Sequence, residues 1–166
     1  MRVLLLVLLI VIADQASKQA VRDRFALGES RAVIEACFHL TYLRNTGAAW
    51  GLLGGQNAWL TILSVLVLAL MVVYRRSFLS PAWEHRLALG LLGGGIIGNV
   101  TDRLRQGWVT DFLDFHWRGH HWPCFNVADA AICTGVALYV LSSLWLAGHP
   151  LNENKRKPNP DEVTAS

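Results

Sequence analysis

The chain has too little charge for a surface that faces only water. Of its 166 residues, 16% are Asp, Glu, Lys or Arg, against about a quarter in an average globular domain, while 53% are hydrophobic. Surface is a large share of a molecule this small, so the missing solvent is lipid. The same composition excludes disorder and coiled coil. Cysteine is scarce too: Cys37, Cys124 and Cys133 are odd in number and irregular in spacing, which gives neither a disulfide framework nor a paired CxxC knuckle. The net charge of +3 comes without a basic stripe interleaved with stacking aromatics, so it suits loops beside anionic lipid rather than nucleic acid. There is no internal repeat. Only one apolar run reaches the roughly 20 residues a helix needs to cross the hydrocarbon.

Four apolar stretches are present, at 3–13, 59–74, 87–100 and 127–147. The last is long enough alone. The other three must borrow length from polar ends, at 14–21, 56–58 and 102–103. The expected fold class is therefore a membrane all-α protein, a bundle of four transmembrane helices. A second reading takes residues 1–16 as a cleaved secretory signal, with Arg2 as its basic start and Ala13 and Ala16 as its small residues, which would leave three spans. With four spans, both termini share one side. The connector 75–86 holds three arginines, and the tail holds Lys155, Arg156 and Lys157, so charge density places both in the cytoplasm. Residues 148–166 read as a polar cytoplasmic tail with no core to join.

Alternating the direction of the spans gathers the polar residues at the outer end. Asp14, Gln15, Ser17 and Lys18 close span one, Asn45 precedes span two, Asn99, Asp102 and Arg103 close span three, and Asn126 and Asp129 open span four. Asp14 and Lys18 are four apart, acid before base, and Asn99, Asp102 and Arg103 share one helical face. Ionisable groups near hydrocarbon tend to face a bundle interior, which predicts a shared polar pocket. The competing reading has Lys18, Arg22, Arg24 and Arg103 snorkelling as interfacial anchors. Gly90, Gly94 and Gly98 recur every four residues and predict close helix packing rather than a phosphate loop.

The segment 108–117 alternates with period two, which puts Asp111 on an otherwise apolar face. An isolated buried carboxyl is costly and should be protonated, paired or functional. Asp129, 18 residues on, is its natural partner, and Asp114 competes with Asp111 for that pairing. Two carboxyls sharing a site hold one proton between them near neutrality, as aspartic peptidases require. The plainer use of Asp129 is as a first-turn acid behind an Asn126 N-cap.

Four motifs stand in order: DQASK at 14–18, NTGAAWG at 45–51, GNVTDRLRQGWVTDFLDFHW at 98–117 and FNVADAAI at 125–132. On these the chain resembles the bacterial lipoprotein signal peptidases, signal peptidase II, over about its first 147 residues. The resemblance implies an intramembrane aspartic endopeptidase of the bacterial inner membrane; a monomer without cofactor is expected. It would cut lipid-modified prolipoproteins just before the diacylglyceryl cysteine, near the outer leaflet and in contact with membrane lipid. By matching position it implies Asp111 and Asp129 as the catalytic pair. Asp14, Lys18, Asn45, Gly47, Asn99, Arg103 and Asn126 would line or brace the site. It keeps the first span in the mature protein and implies a small extracytoplasmic sheet between helices 1 and 2, in which Phe38, Leu40 and Tyr42 alternate as a strand. It implies a substrate-clamping loop at 103–125, with Trp50, Trp108 and Trp117 near the headgroups. Two rival readings remain: a metal held by His116, His120, His121 and Cys124, and a transporter or assembly protein whose Asp14, Asp102 and Asp129 relay protons.

Overall fold

The computed structural model describes residues 2–47, 55–78 and 83–148. Trp50, most of the NTGAAWG motif and the tail beyond 148 lie outside the described residues. The element order is α1 (Arg2–Arg24), β1 (Ser30–Ile34), β2 (Phe38–Asn45), α2 (Asn57–Val73), α3 (Arg75–Phe78), α4 (Trp83–Gln106), β3 (Val109–Trp117), β4 (His120–His121) and α5 (Val127–Gly148). The helices α1 and α5 are long and apolar enough to cross a membrane alone, while α2 has 17 residues. At 24 residues α4 has the length, and its charges sit at its ends.

The outside of this bundle is greasy. Leu4, Leu5, Leu8, Leu9 and Ile12 of α1 are exposed, as are Ile62, Leu63 and Leu66 of α2, which has no buried residue at all. Apolar surface on this scale needs lipid or a partner to cover it. Inside, α4 is the hub, packing against α1, α5 and α2. The glycine pattern explains how. A methyl group at Gly94 would lie 2.7 Å from Ile10 Cβ, and one at Gly98 would lie 2.6 Å from the Asp14 carboxylate. At Gly95 it would run into the carbonyl oxygen of Ala128. One face of α4 therefore admits α1 at backbone distance and the adjoining face admits α5, the packing the spacing predicts.

The sheet corrects the expectation of strands only between the first two spans. Its order is β1-β2-β3-β4, every pairing antiparallel, so half its strands come from the segment between α4 and α5 that was expected as a clamping loop. The period-two pattern of 109–117 is a real strand signal, but periodicity does not name a partner. Across β2–β3, Leu43 stands opposite Asp111 and Asn45 opposite Val109, beyond a register shift at Leu40/Leu43. Arg118 and Gly119, both at positive φ, make the two-residue turn into β4, the backbone of a primed hairpin turn. Val21, Tyr42 and Phe112 form a small core where the sheet meets the end of α1, ringed by Phe25, Leu40, Leu113 and Val127.

Candidate active site

One end of the bundle collects nearly every polar side chain singled out in the sequence. Lys18 is completely buried, which overturns the snorkelling reading for it. Its ammonium has three acceptors: Asp14 Oδ2 at 2.9 Å, Asp102 Oδ2 at 3.2 Å and Asn99 Oδ1 at 2.9 Å. A lysine has three protons to give, and each has a destination. Arg22 is half-buried, donates to Thr110 Oγ1 at 3.0 Å and lies 3.8 Å from Asp102. Arg24 is exposed at the helix end and fits the anchor role. Burying these charges is tolerable only because each is paired and hydrogen-bonded.

The start of α5 is built around the same network. Asn126 caps the helix, its Oδ1 accepting from Asp129 N at 3.0 Å, while Asp129 Oδ2 accepts from Asn126 N at 3.2 Å. This reciprocal box satisfies two amides that a helix terminus would otherwise leave bare. A further first-turn amide, Ala128 N, donates to Asp14 Oδ1 of α1 at 2.9 Å. The capping and pocket readings of Asn126 and Asp129 are therefore both met by the same atoms.

Asn126 also reaches the second carboxyl, its Nδ2 donating to Asp111 Oδ1 at 2.8 Å. Asp111 Oδ2 accepts from Asn45 Nδ2 at 2.9 Å, and Asn45 Oδ1 in turn accepts from Gly47 N at 2.9 Å. Asn99 Nδ2 donates to Asp129 Oδ1 at 2.7 Å. Arg103 donates to the Gly47 carbonyl at 3.3 Å, and its buried Nε has no partner among the described residues. Asp111 and Asp129 thus line one cavity of about 490 Å³ with Asn45, Gly47, Asn99 and Arg103. Its apolar wall includes Val109, Phe125 and Ile132. Burial, and after it the neighbouring Asp129, push the Asp111 carboxyl up from 3.8 to about 7, against the two asparagine bonds and the Lys18 charge that pull it down. Asp111 is therefore poised to hold or release a proton near neutrality. Cys124, also in the wall, has its thiol pushed up to about 12 by burial and then by Asp111, which disfavours the thiolate.

Asp114 is not in the cavity: it accepts from Thr41 Oγ1 at 3.1 Å and pairs with His121 Nδ1 at 3.0 Å on the other face of β3. The metal reading finds no common point for its ligands. His116 stacks on His121 at 4.9 Å and edges His39 at 4.4 Å, His120 stands opposite Trp117, and Cys124 leans on the Thr41 carbonyl. Among the described residues, no three His, Cys, Asp or Glu side chains are placed to hold an ion. Of the expected interfacial tryptophans, Trp117 is exposed and Trp108 lies under Arg44 at 4.3 Å. Asp102 and Gln15, expected at the polar end but not among the residues lining or bracing the site, belong to its framework, as does Thr110, which no sequence signal singled out. Gln15 Nε2 bridges Asp14 and Asp102, both at 3.1 Å, and Thr110 N donates to Asp102 Oδ2 at 3.1 Å. The sequence signal for Asp102 is its place on the Asn99 stripe; the need for it comes from the burial of Lys18, which only the structure shows.

Comparison with known proteins converges on one family. The model of the signal peptidase (SPase) II family matches residues 6–145. A lipoprotein signal peptidase of Shewanella loihica is 42% identical over 161 residues, covering 95% of this chain and 89% of that protein. Its counterpart from Shewanella halifaxensis is 45% identical over 141 residues, covering 82% of each. Among solved structures, a bacterial membrane enzyme determined by the in meso method at 2.3 Å resolution superposes with a TM-score of 0.81 at 30% identity, over 95% of this chain and 94% of that one. A second, at 1.9 Å, gives 0.78 at 32% identity over 86% and 92%.

Proposed function

The chain belongs to the signal peptidase II family, and from that premise we propose that it is an intramembrane aspartic endopeptidase using Asp111 and Asp129. Its substrate is a prolipoprotein bearing diacylglycerol on cysteine, and the peptide bond cut is the one just before that cysteine. The observation that carries the reading is Asn126, one residue that hydrogen-bonds both carboxyls in the wall of a single cavity.

Two carboxyls that share a cavity and one asparagine partner hold one proton between them, because ionising the second beside the first is costly. The ionised member draws a proton from water as its oxygen attacks the peptide carbonyl, and the protonated member gives its proton to that carbonyl oxygen. Collapse of the tetrahedral intermediate returns a proton to the departing nitrogen. Asn45, Asn99 and Asn126 fix the carboxyl orientations, and Arg103 with Gly47 offers polar contact to the peptide backbone. Four crossings, by α1, α2, α4 and α5, would set this cavity near the outer leaflet, both termini in the cytoplasm and residues 1–147 as the catalytic unit. The apolar exterior, and the gathering of acids and amides at one end, support that placement.

The test is cleavage by the purified protein of a diacylglyceryl-modified prolipoprotein and of its unmodified precursor. Only the modified chain should be cut. Asp111→Asn and Asp129→Asn should each lower the rate by at least about a thousand-fold while still inserting in the membrane. Normal cleavage by either variant would remove the carboxyl pair from the chemistry.

A further inference from the structure

The two carboxyls are held by different kinds of donor. Asp111 receives the side-chain amides of Asn45 and Asn126, whose own oxygens rest on the backbone amides of Gly47 and Asp129. Asp129 receives Asn99 Nδ2 at 2.7 Å and the backbone amide of Asn126 at 3.2 Å. The Asn99 oxygen, in turn, accepts from Lys18 Nζ at 2.9 Å and, over a longer 3.3 Å, from Asn126 Nδ2. Among the described residues, Asn99 is the one of the three asparagines with a cation against its oxygen. That cation locks the amide's orientation, since a flipped Asn99 would set its NH2 against the ammonium. It also polarises the amide, making its N–H a stronger donor.

Lys18 itself cannot wander, because Asp14 and Asp102 take its other two protons. The charged groups around the pair are Asp14, Lys18 and Arg22 from α1, Asp102 and Arg103 from α4, Asp111 from β3 and Asp129 from α5. Lys18 also acts on Asp111 through its charge alone, so what is peculiar to Asp129 is the directed contact through Asn99. Asp129 also lies in the first turn of α5, at the positive end of the helix dipole, whereas Asp111 sits on a strand with no such dipole.

Resting on the aspartic-peptidase reading of this site, the geometry points to Lys18 as a positioning residue that acts through Asn99 to place the negative charge of the pair on Asp129 and leave the proton on Asp111. Asp129 then takes a proton from water while the water oxygen bonds the carbonyl carbon. The carbonyl π electrons move to oxygen, which takes the Asp111 proton. As the C–N bond breaks, the proton on Asp129 passes to nitrogen, and one hydroxyl of the gem-diol returns a proton to Asp111, restoring the pair.

The pH profile of kcat/KM for the lipid-modified substrate tests this. Asn99→Ser removes the relay and leaves the Lys18, Asp14 and Asp102 cluster whole. Its acidic limb should move upward by roughly one to two pH units, the span of a lost charge-assisted hydrogen bond. Lys18→Met should move the same limb the same way, and Asn99→Ser carries the test if that variant fails to fold. A lower rate with the acidic limb unmoved would make Asn99 merely structural and overturn the assignment. A shift confined to the alkaline limb would put the charge on Asp111 and overturn it as well. Loss of the peptidase reading would look different: an inactive wild type, or an active Asp111→Asn.

Discussion

Along α4, residues 88–95 meet α1 and α5 through glycine and alanine backbones, whereas Asn99 reaches both helices through its amide and Asp102 reaches α1 through its carboxylate. In lipid the first kind of contact gains from dispersion and close approach, since lipid tails are as apolar as the side chains they would replace. It sets how near the helices lie. It is nearly indifferent to a small rotation about the helix axis. The second kind is directional: turning α4 by one residue would carry Asn99 away from both Lys18 and Asp129. The polar half therefore specifies the rotational setting, and it is also the half where the chemistry is proposed. Toward the start of α4, before that stretch, His85 Nε2 meets Ser143 Oγ at 3.3 Å and its ring packs on Tyr139 at 4.5 Å.

Substitutions on the two sides of this divide should behave differently. The largest loss is expected at Lys18→Met, which strands Asp14 and Asp102 without their ammonium. Stability measured by unfolding in mixed micelles should fall by about 3 to 5 kcal/mol, and a loss near zero would mean the polar half does not set the fold. Next comes a pH effect. Because the folded Asp111 carboxyl is raised to about 7, the folded protein binds that proton more tightly than the unfolded chain does. The cost of burying its charge is absent below the unfolded value and accrues as pH rises toward 7. Relative to Asp111→Asn, the wild type should lose up to about 4 kcal/mol of stability between about pH 4 and pH 8. A difference between the two proteins that stays constant with pH would contradict this.

A smaller effect is expected on the apolar side. Gly95→Ala drives a methyl against the Ala128 carbonyl and should cost about 1 to 3 kcal/mol. Cleavage should fall with it, since Ala128 precedes Asp129. The least effect is expected at Ser143→Ala, about 1 kcal/mol or less with cleavage unchanged. A peptidase defect there would show the two halves to be coupled through α5.

The sequence made the four helices legible because apolar runs of this length have few alternatives, and it made the polar end legible because alternating the spans brings Asp14, Asn99 and Asp129 together. The alternation in 108–117 is a strand pattern too, yet the segment was expected as a loop. What periodicity does not encode is the partner. β3 lies beside β2 with Leu43 opposite Asp111, 68 residues away, and nothing local in either segment announces that register. Asp102 was underrated for the same reason. Its importance comes from Lys18, Arg22 and Gln15 on another helix, and a stripe on α4 shows only that it faces inward.

The bond from Ala128 N to Asp14 Oδ1 joins residues 114 apart, the first helix capping the last. During synthesis α1 emerges long before that amide exists, so one oxygen of Asp14 waits for its donor until α5 is made. The centre cannot assemble on a partial chain, however well its earlier segments have entered the bilayer. A ribosome stalled before residue 126 leaves a bundle with a vacant berth, and α5 supplied as a separate peptide should seat itself there.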